Sequence, residues 1–288
     1  MIRSPYKWCQ APVWSCKIEA HAAPCFYGFP PLFRASFRNG SHCFGRALDV
    51  FRSRGSRFSF HLYLPVGQSN MAGRGVVDGE SKQPDPSVTV LAKSLEWKPA
   101  TDPLHFDKPV AGVGPSLAFG KAMAAAAPDI RVGLVPCAVG GTSIKVWVPG
   151  AEDQATHTHP YSDMLARVLE VQKAGVLKGI IWHQGESDRA SATPPYRTLL
   201  ADLVGRIRTD LQTDAPFVAG EISSFDPANA EVTSRFNREV HLLESTLKKY
   251  GCVSSEGLNH KGDKLHYDAL SVRILGKRYV GKLSELEK

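Results

Sequence analysis

Three polar residues, Ser69, Asp263 and His266, have the types and spacing needed to hydrolyse an ester. Ser69 lies in Gly67-Gln68-Ser69-Asn70, directly after a mostly apolar run over residues 58–66. Serine becomes a nucleophile when a base removes its proton, and a tight turn after a strand is a usual way to present its hydroxyl. A serine beside Gly and Asn is more often a plain turn, so the prediction depends on the other two residues.

His266 is the histidine best suited to act as the base. It follows Asp263 by three residues, in a polar loop ahead of the last predicted helix, so the two side chains can lie on the same side and form a hydrogen bond. A carboxylate that orients a histidine beside a serine is the arrangement of a catalytic triad. The alternative for an Asp-x-x-His pair is a helix cap beside a surface histidine.

Ester hydrolysis also needs hydrogen-bond donors for the negative charge that develops on the carbonyl oxygen. The backbone N–H of Ser69 is one candidate, a glycine N–H within Gly140-Gly141-Thr142 is another, and Gln184 could add a side-chain amide. Glu186 is a candidate carboxylate behind these groups, and Asp188 is a candidate helix cap. A Gly-Gly pair is otherwise more often a simple turn.

A metal enzyme is the competing interpretation of the same region. His183 and Glu186 are three residues apart, and His260 and His266 lie downstream. No tight group of His and Cys accompanies them, and none of the six cysteines forms a Cys-x-x-Cys pair. We therefore predict no metal and no cofactor.

The elements that would position these residues alternate between strands and helices. Alternation of this kind predicts a parallel sheet covered on both faces, with ligands bound at the carboxyl ends of the strands. The polar motifs fall at those ends. Pro65 lacks a ladder donor, which predicts an edge or a bulge in the first strand. The predicted strands are 58–66, 130–139, 177–182, 217–222 and 252–253, and the predicted helices are 114–127, 160–174, 196–211, 232–250 and 270–283.

Composition favours a soluble globular protein. Of the 288 residues 43% are apolar and 22% are charged, and we find no run of about 18 apolar residues that could span a membrane. The net charge of +7 lies in residues 1–57, which hold nine basic residues and two acids, while the remainder holds 26 of each. A nucleic-acid-binding face on the globular part is therefore not expected.

Residues 1–57 show no sustained periodicity, and we predict that they form a basic leader ahead of a domain over residues 58–288. No apolar segment follows the start, which disfavours a secretory signal. Low acid content fits an organellar transit peptide, and a disordered extension is the alternative. We expect a cytoplasmic or organellar location. Binding of nucleic acid by the leader itself is a further alternative.

Four segments together resemble the blocks of the SGNH hydrolase superfamily: Gly-Gln-Ser-Asn-Met-Ala-Gly, Val-Gly-Gly-Thr-Ser-Ile, Trp-His-Gln-Gly-Glu-Ser-Asp and Asp-x-x-His. More narrowly, they resemble carbohydrate esterase family 6, the sialate O-acetylesterase-like domain. The resemblance runs from about Val66 to the C-terminus, and the block at Trp182 to Asp188 is the most specific. It implies a three-layer α/β/α sandwich with a flavodoxin-like parallel sheet.

By this resemblance Ser69 is the nucleophile, His266 the base and Asp263 the residue that orients it. The oxyanion hole would consist of the Ser69 N–H, the Gly141 N–H and the amide of Gln184, which stands where the superfamily usually has Asn. The implied substrate is an acetylated carbohydrate. A lipase or thioesterase of the same superfamily is one alternative, and a non-catalytic carbohydrate-binding relative is another.

The approach to Ser69 departs from that family, in which the strand is continuously apolar. Here apolar and polar residues alternate over 58–65. Together with the basic leader, this departure indicates a divergent or alternative start before Val66. A first strand that packed badly would make the protein less stable than its relatives while leaving its site residues intact.

Overall fold

The computed structural model describes residues 59–190 and 195–288, and a seven-stranded sheet lies at its centre. The predicted leader, residues 1–57, lies outside the described residues. The strands are β1 (Ser59–Gly67), β2 (Val88–Leu91), β3 (Trp97–Pro99), β4 (Ile130–Leu134), β5 (Val176–His183), β6 (Phe217–Gly220) and β7 (Tyr250–Val253). The helices are α1 (Ser69–Ala72), α2 (Pro115–Ala126), α3 (Pro160–Val171), α4 (Tyr196–Asp210), α5 (Ala230–His241) and α6 (Ala269–Leu286).

The strand order is β3-β2-β4-β1-β5-β6-β7, and all neighbours pair in parallel except β3, which is antiparallel to β2. A parallel sheet needs cover on both faces. Side chains of α2 and α6 fill the core on one face, and side chains of α3, α4 and α5 fill the core on the other. The predicted three-layer α/β/α sandwich is therefore confirmed. Within the described part of the chain, no helix has the length and hydropathy to cross a membrane.

The first strand packs well. Successive residues of a strand point to opposite faces. Leu62, Leu64 and Val66 lie in the core under α3 and α4, whereas Tyr63 lies in the core under α2 and α6. Every residue of β1 from Leu62 onward is buried, because this strand is the middle one of the sheet.

Pro65 lies in this central strand, so the predicted edge position is wrong. Its carbonyl accepts a hydrogen bond from the N–H of Cys137 at 3.0 Å, past the end of β4. The N–H and C=O of one strand residue point to the same side. The N–H that proline lacks would therefore face the residues after Leu134, where the regular pairing of β4 has already ended. The pairing irregularity lies earlier, between Leu62 and Tyr63 on the β5 side.

Two predicted elements are shorter in the structure. Regular β4 ends at Leu134, although the N–H groups of Val135, Cys137 and Val139 continue to bond to carbonyls of β1 at 2.9–3.0 Å. The helix predicted over 232–250 ends at His241 and is followed by a 3-10 turn, Leu242–Ser245, and then β7. The strands β2 and β3 were not predicted, because they have only four and three residues.

Candidate active site

Three neighbouring segments of the sheet bring the polar motifs together at its carboxyl edge. The Val139 N–H donates to the carbonyl of Gly67 at 2.9 Å, which sets the turn after β4 beside the end of β1. The Gln68 N–H donates to the carbonyl of His183, also at 2.9 Å, which ties the end of β5 to the same turn. Ser69 therefore lies between the glycine turn and the segment that follows β5.

Gly67 allows the chain to turn sharply before the serine. Its φ is +137°, and a Cβ atom there would lie 2.1 Å from the carbonyl oxygen of His183. Any other residue would force the two strands apart. Ser69 is the first residue of α1, and 7% of its surface is exposed. Among the described residues, nothing accepts a hydrogen bond from the Ser69 N–H.

Ser69, His266 and Asp263 form a hydrogen-bonded chain. The Ser69 Oγ lies 3.0 Å from His266 Nε2, and His266 Nδ1 lies 2.7 Å from Asp263 Oδ2. A carboxylate can only accept, so Nδ1 carries the proton and the Nε2 of the neutral ring is left to accept from the serine hydroxyl. This is the arrangement in which a histidine can act as a general base.

Asp263 is fixed by the backbone that follows it. Its Oδ1 accepts the N–H groups of Leu265 at 3.0 Å and of His266 at 2.8 Å. Partial burial by itself would raise the pKa of Asp263, but the hydrogen bonds from His266 and Leu265 hold that pKa well below its ordinary value. The carboxylate is therefore ionised whenever His266 needs orientation. The cap of α6 is a different residue, Asp268, which accepts from the Ser271 N–H.

Asn70, which follows Ser69, connects that serine to the loop that holds His266. Its Nδ2 donates to the carbonyl of Leu265 at 3.2 Å, and its Oδ1 accepts the N–H of Tyr267 at 3.2 Å. These contacts fall on both sides of His266. This role of Asn70 was not predicted from the sequence, although the residue stands next to Ser69 in the motif.

Glu186 lies behind Asn70, as a carboxylate that does not contact the serine. Its Oε1 accepts a hydrogen bond from Asn70 Nδ2 and lies 3.6 Å from His183 Nε2. Burial would raise the pKa of Glu186, but His183 and Asn70 outweigh it and lower that pKa below its ordinary value. A negative charge buried here therefore orients the Asn70 amide.

Of the two glycines in the turn after β4, Gly141 is the one whose N–H has no acceptor among the described residues. Its φ is +88°, and the residue is exposed. The Gly140 N–H is already bonded to Asp107 Oδ2 at 2.9 Å, whereas the Gly141 N–H has no acceptor within the described part of the chain. The backbone N–H groups of Ser69 and of Gly141 are therefore both free to bind an acceptor.

The predicted oxyanion role of Gln184 needs correction. Its Nε2 donates to Gln68 Oε1 and the Thr142 carbonyl, both at 3.0 Å, and lies within hydrogen-bonding distance of Asp188 Oδ2. Its Oε1 accepts the hydroxyl of Tyr196 at 2.8 Å. The amide has two hydrogens and already has three acceptors, and the residue is only 1% exposed. Gln184 therefore braces the surrounding turns.

The sequence suggested that Asp188 caps a helix, but the structure gives it a different role. Its carboxylate accepts the N–H of Ile144 at 2.8 Å and the hydroxyl of Ser143, besides facing Gln184. These bonds hold the segment that follows the glycine turn. Three further buried or half-buried residues beside the glycine turn had no signal in the sequence, because none belongs to a functional motif: Arg74, His105 and Asp107.

The four residues of the metal interpretation do not form a single cluster, although His183 and Glu186 lie side by side. Across residues 59–190 and 195–288, no group of three or more His, Cys, Asp or Glu side chains is arranged to hold a metal ion. His183 bonds to the hydroxyl of Tyr279 through Nδ1, and His260 accepts from the N–H of Gly262. His266 instead faces Ser69.

Known proteins resemble this chain in sequence and in fold. The family model described as carbohydrate esterase, sialic acid-specific acetylesterase, matches residues 59–285. A probable carbohydrate esterase of Arabidopsis thaliana is 34% identical over 228 residues, which make up 71% of this chain and 83% of that protein. The X-ray structure of a protein from Arabidopsis thaliana superposes with a TM-score of 0.69 at 30% identity, covering 78% of this chain and 98% of the other. The crystal structure of NanS shares the fold, with a TM-score of 0.65 at 18% identity over 79% of this chain and 97% of the other.

Proposed function

The chain belongs to the carbohydrate esterase family of sialic acid-specific acetylesterases, and from that membership we propose that it is a serine esterase that removes O-acetyl groups from a carbohydrate through an acyl-enzyme. The family accounts for hydrolysis of carboxylic esters of carbohydrates. The serine mechanism is our proposal. The observation that carries it is the hydrogen-bonded chain from Ser69 through His266 to Asp263, with distances of 3.0 and 2.7 Å.

In the first half of the reaction, His266 Nε2 takes the hydroxyl proton of Ser69 as Oγ bonds to the carbonyl carbon of the ester. The carbonyl electron pair moves onto its oxygen, and the N–H groups of Ser69 and Gly141 stabilise that charge. His266 then gives the proton to the sugar oxygen as the ester C–O bond breaks. The sugar leaves with a free hydroxyl, and the acetyl group stays on Ser69.

In the second half, a water molecule takes the position of the sugar. His266 accepts a proton from that water as its oxygen attacks the acetyl carbon, and the same donors stabilise the second oxyanion. The proton returns to Ser69 Oγ when the acyl bond breaks, and acetate is released. Asp263 holds the imidazole orientation and stabilises its positive charge in both halves.

The central test is the substitution Ser69→Ala. We expect it to lower kcat for p-nitrophenyl acetate and for acetylated sugars by about 10⁴-fold or more, because loss of a triad residue removes nucleophilic catalysis. The fold should persist, with a similar Tm. A fluorophosphonate probe should label Ser69 in the wild-type protein, as read by peptide mass. Activity of the variant within tenfold of wild type would rule out the serine mechanism.

Chain-length preference separates the proposal from a lipase or thioesterase of the same fold. We expect acetate release from acetylated xylan or acetylated sialic acid to exceed hydrolysis of octanoyl and palmitoyl esters at equal concentration. A preference for the long-chain esters would replace the carbohydrate substrate with a lipid or thioester while leaving the Ser69 mechanism in force.

A further inference from the structure

The glycine turn that carries the Gly141 N–H is held from beneath by a fully buried carboxylate. Asp107 Oδ2 accepts the Gly140 N–H at 2.9 Å, and the side chain of Asp107 is 0% exposed. The same oxygen lies 2.8 Å from Arg74 Nη2, whose side chain is 5% exposed. Gly140 fits against this pair closely, since a Cβ there would lie 2.4 Å from Arg74 Nη2 and 2.8 Å from Asp107 Oδ2.

A second contact fixes the segment just before the turn. The Ala138 N–H donates to His105 Nδ1 at 3.3 Å, and His105 Nε2 lies 3.4 Å from the hydroxyl of Ser116. Burial lowers the pKa of His105 to about 4, so the ring is neutral and Nδ1 can accept. His105 and Asp107, which are two residues apart, therefore bind the backbone N–H groups of Ala138 and Gly140, which are also two residues apart.

Arg74 connects this support to the turn of the nucleophile. Its Nη1 donates to the carbonyl of Gly73 at 2.7 Å, and Gly73 is the residue directly after α1. The helix begins at Ser69, four residues earlier. The guanidinium therefore donates through Nη1 to the carbonyl of Gly73, next to the helix of Ser69, and through Nη2 to Asp107, which holds the glycine turn.

Stability alone does not explain a buried pair of charges. Removing two charges from water costs free energy that their attraction only partly offsets, and well-packed apolar residues are often as stabilising. Asp107 Oδ1 is also buried without a hydrogen-bond partner among the described residues, which adds to the cost. The pair instead fixes relative positions, because the two donors of the oxyanion hole, the N–H groups of Ser69 and Gly141, belong to two different turns.

We propose that the Arg74–Asp107 ion pair is the positioning device of the oxyanion hole, which fixes the Gly141 N–H at its working distance from Ser69. This inference rests on the proposed function. Arg74 and Asp107 contact neither the reacting atoms nor the triad, and they act through the glycine turn and α1. Displacing one oxyanion donor weakens stabilisation of the transition state and leaves ground-state binding largely unchanged.

The test compares Asp107→Ala, Asp107→Asn and the control Arg273→Gln in the full chain. Asp107→Ala removes the acceptor, whereas Asp107→Asn keeps shape and an oxygen but loses the charge. Arg273 forms an ion pair with Asp78 at 2.6 Å that does not touch the site. We expect Asp107→Ala to lower kcat for p-nitrophenyl acetate by about 10- to 100-fold with KM within about threefold, and Asp107→Asn to lie between it and wild type.

Two further readouts separate positioning from general destabilisation. The rate of fluorophosphonate labelling of Ser69 should fall in parallel with kcat, because that reaction uses the same oxyanion donors. Arg273→Gln should lower Tm and keep kcat within about twofold of wild type. If Asp107→Ala does not fold, Gly140→Ala presses on the same pair from the other side and should show the same loss of kcat with little change in KM.

The proposal is overturned if the folded Asp107 or Gly140 variants keep kcat within about twofold of wild type, or if Arg273→Gln loses as much kcat as they do. That failure differs from failure of the proposed function. If Ser69→Ala is inactive while the Asp107 variants are fully active, only the positioning role is wrong. If Ser69→Ala keeps its activity, the serine mechanism itself is wrong.

Discussion

Gln184 has a role that only its neighbours in the folded protein define. Its amide bonds to Gln68 and Thr142 and faces Asp188, so Gln184→Ala leaves buried polar groups unsatisfied, at about 1–3 kcal/mol for each. We expect a lower Tm, and a loss of kcat below the roughly 10²–10³-fold that removal of an oxyanion donor typically causes. Both quantities should be measured on the same preparation.

Tyr196→Phe is the matched control for Gln184, since it removes the hydroxyl that donates to Gln184 Oε1 at 2.8 Å. It should also lower Tm with little effect on kcat. An unchanged Tm combined with a loss of kcat of about 10²-fold or more in Gln184→Ala would return its amide to the oxyanion hole.

The hydrogen-bonded chain of Ser69, His266 and Asp263 could be predicted from the sequence because ester chemistry limits the types and spacing of such residues. Asp263 and His266 are three residues apart, and their hydrogen bond is local. The partners of Gln184 come from three other segments, so its occupied hydrogens could not be foreseen. The same holds for Asp107, whose contacts with Arg74 and Gly140 exist only after β1 and β4 pair.

Among the elements, the end of α5 is joined to β6 and β7 by a histidine between two glutamates. His241 Nε2 lies 3.0 Å from Glu221 Oε1, and its Nδ1 lies 3.2 Å from Glu244 Oε2. Each glutamate also accepts a backbone N–H near β7, from Ser255 and from Cys252 respectively. Burial works against a charge on His241, but Glu244 and Glu221 raise its pKa above the ordinary value of 6.5.

A raised pKa in the folded state means that this contact stabilises the protein fully below about pH 6.5 and that the contribution is lost as pH rises through the folded pKa. We expect His241→Gln to lower Tm by a few degrees at most at pH 5.5, because these side chains are partly exposed, and by less at pH 8.5. Thermal unfolding across this pH range measures the difference.

Arg197→Gln provides the control, because Arg197 pairs with Glu239 at 3.5 Å between α4 and α5 and arginine does not titrate in this range. Its effect on Tm should be the same at both pH values. A Tm difference for His241→Gln that grows with pH would show that the histidine is not held in its charged form by the two glutamates.

Element boundaries were harder to predict than element types. The helix predicted over 232–250 ends early, because Leu243 is buried by a 3-10 turn and Glu244 turns toward the backbone of β7. The strands β2 and β3 are too short to show periodicity. Pro65 was misplaced because the end of β4 beside it depends on register, which the sequence does not reveal.

At the scale of the whole molecule, the long alternation of strands and helices was enough to predict the layers of the sandwich. The family match begins at residue 59, next to the predicted boundary after residue 57. All of the net charge of +7 lies before that boundary.

We expect a chain that begins at Phe58 to keep the wild-type kcat and KM and to lose retention on a heparin column, because its net charge is zero. Activity of the shortened and full chains on p-nitrophenyl acetate measures the first part, and the salt needed for elution measures the second. A shortened protein that folds with an unchanged Tm but loses kcat would mean that residues 1–57 help build the site.

The hydrogen bond between Ser69 and His266 joins residues 197 positions apart in the chain. A ribosome adding about 5–20 residues per second needs roughly 10–40 s between adding Ser69 and adding His266. During that interval the growing chain carries Ser69 without a proton acceptor, so its hydroxyl is no more reactive than that of an ordinary serine. Under the proposed mechanism, the order of translation therefore keeps the unfinished protein inactive, and hydrolysis by Ser69 can begin only after the segment preceding α6 has been synthesised.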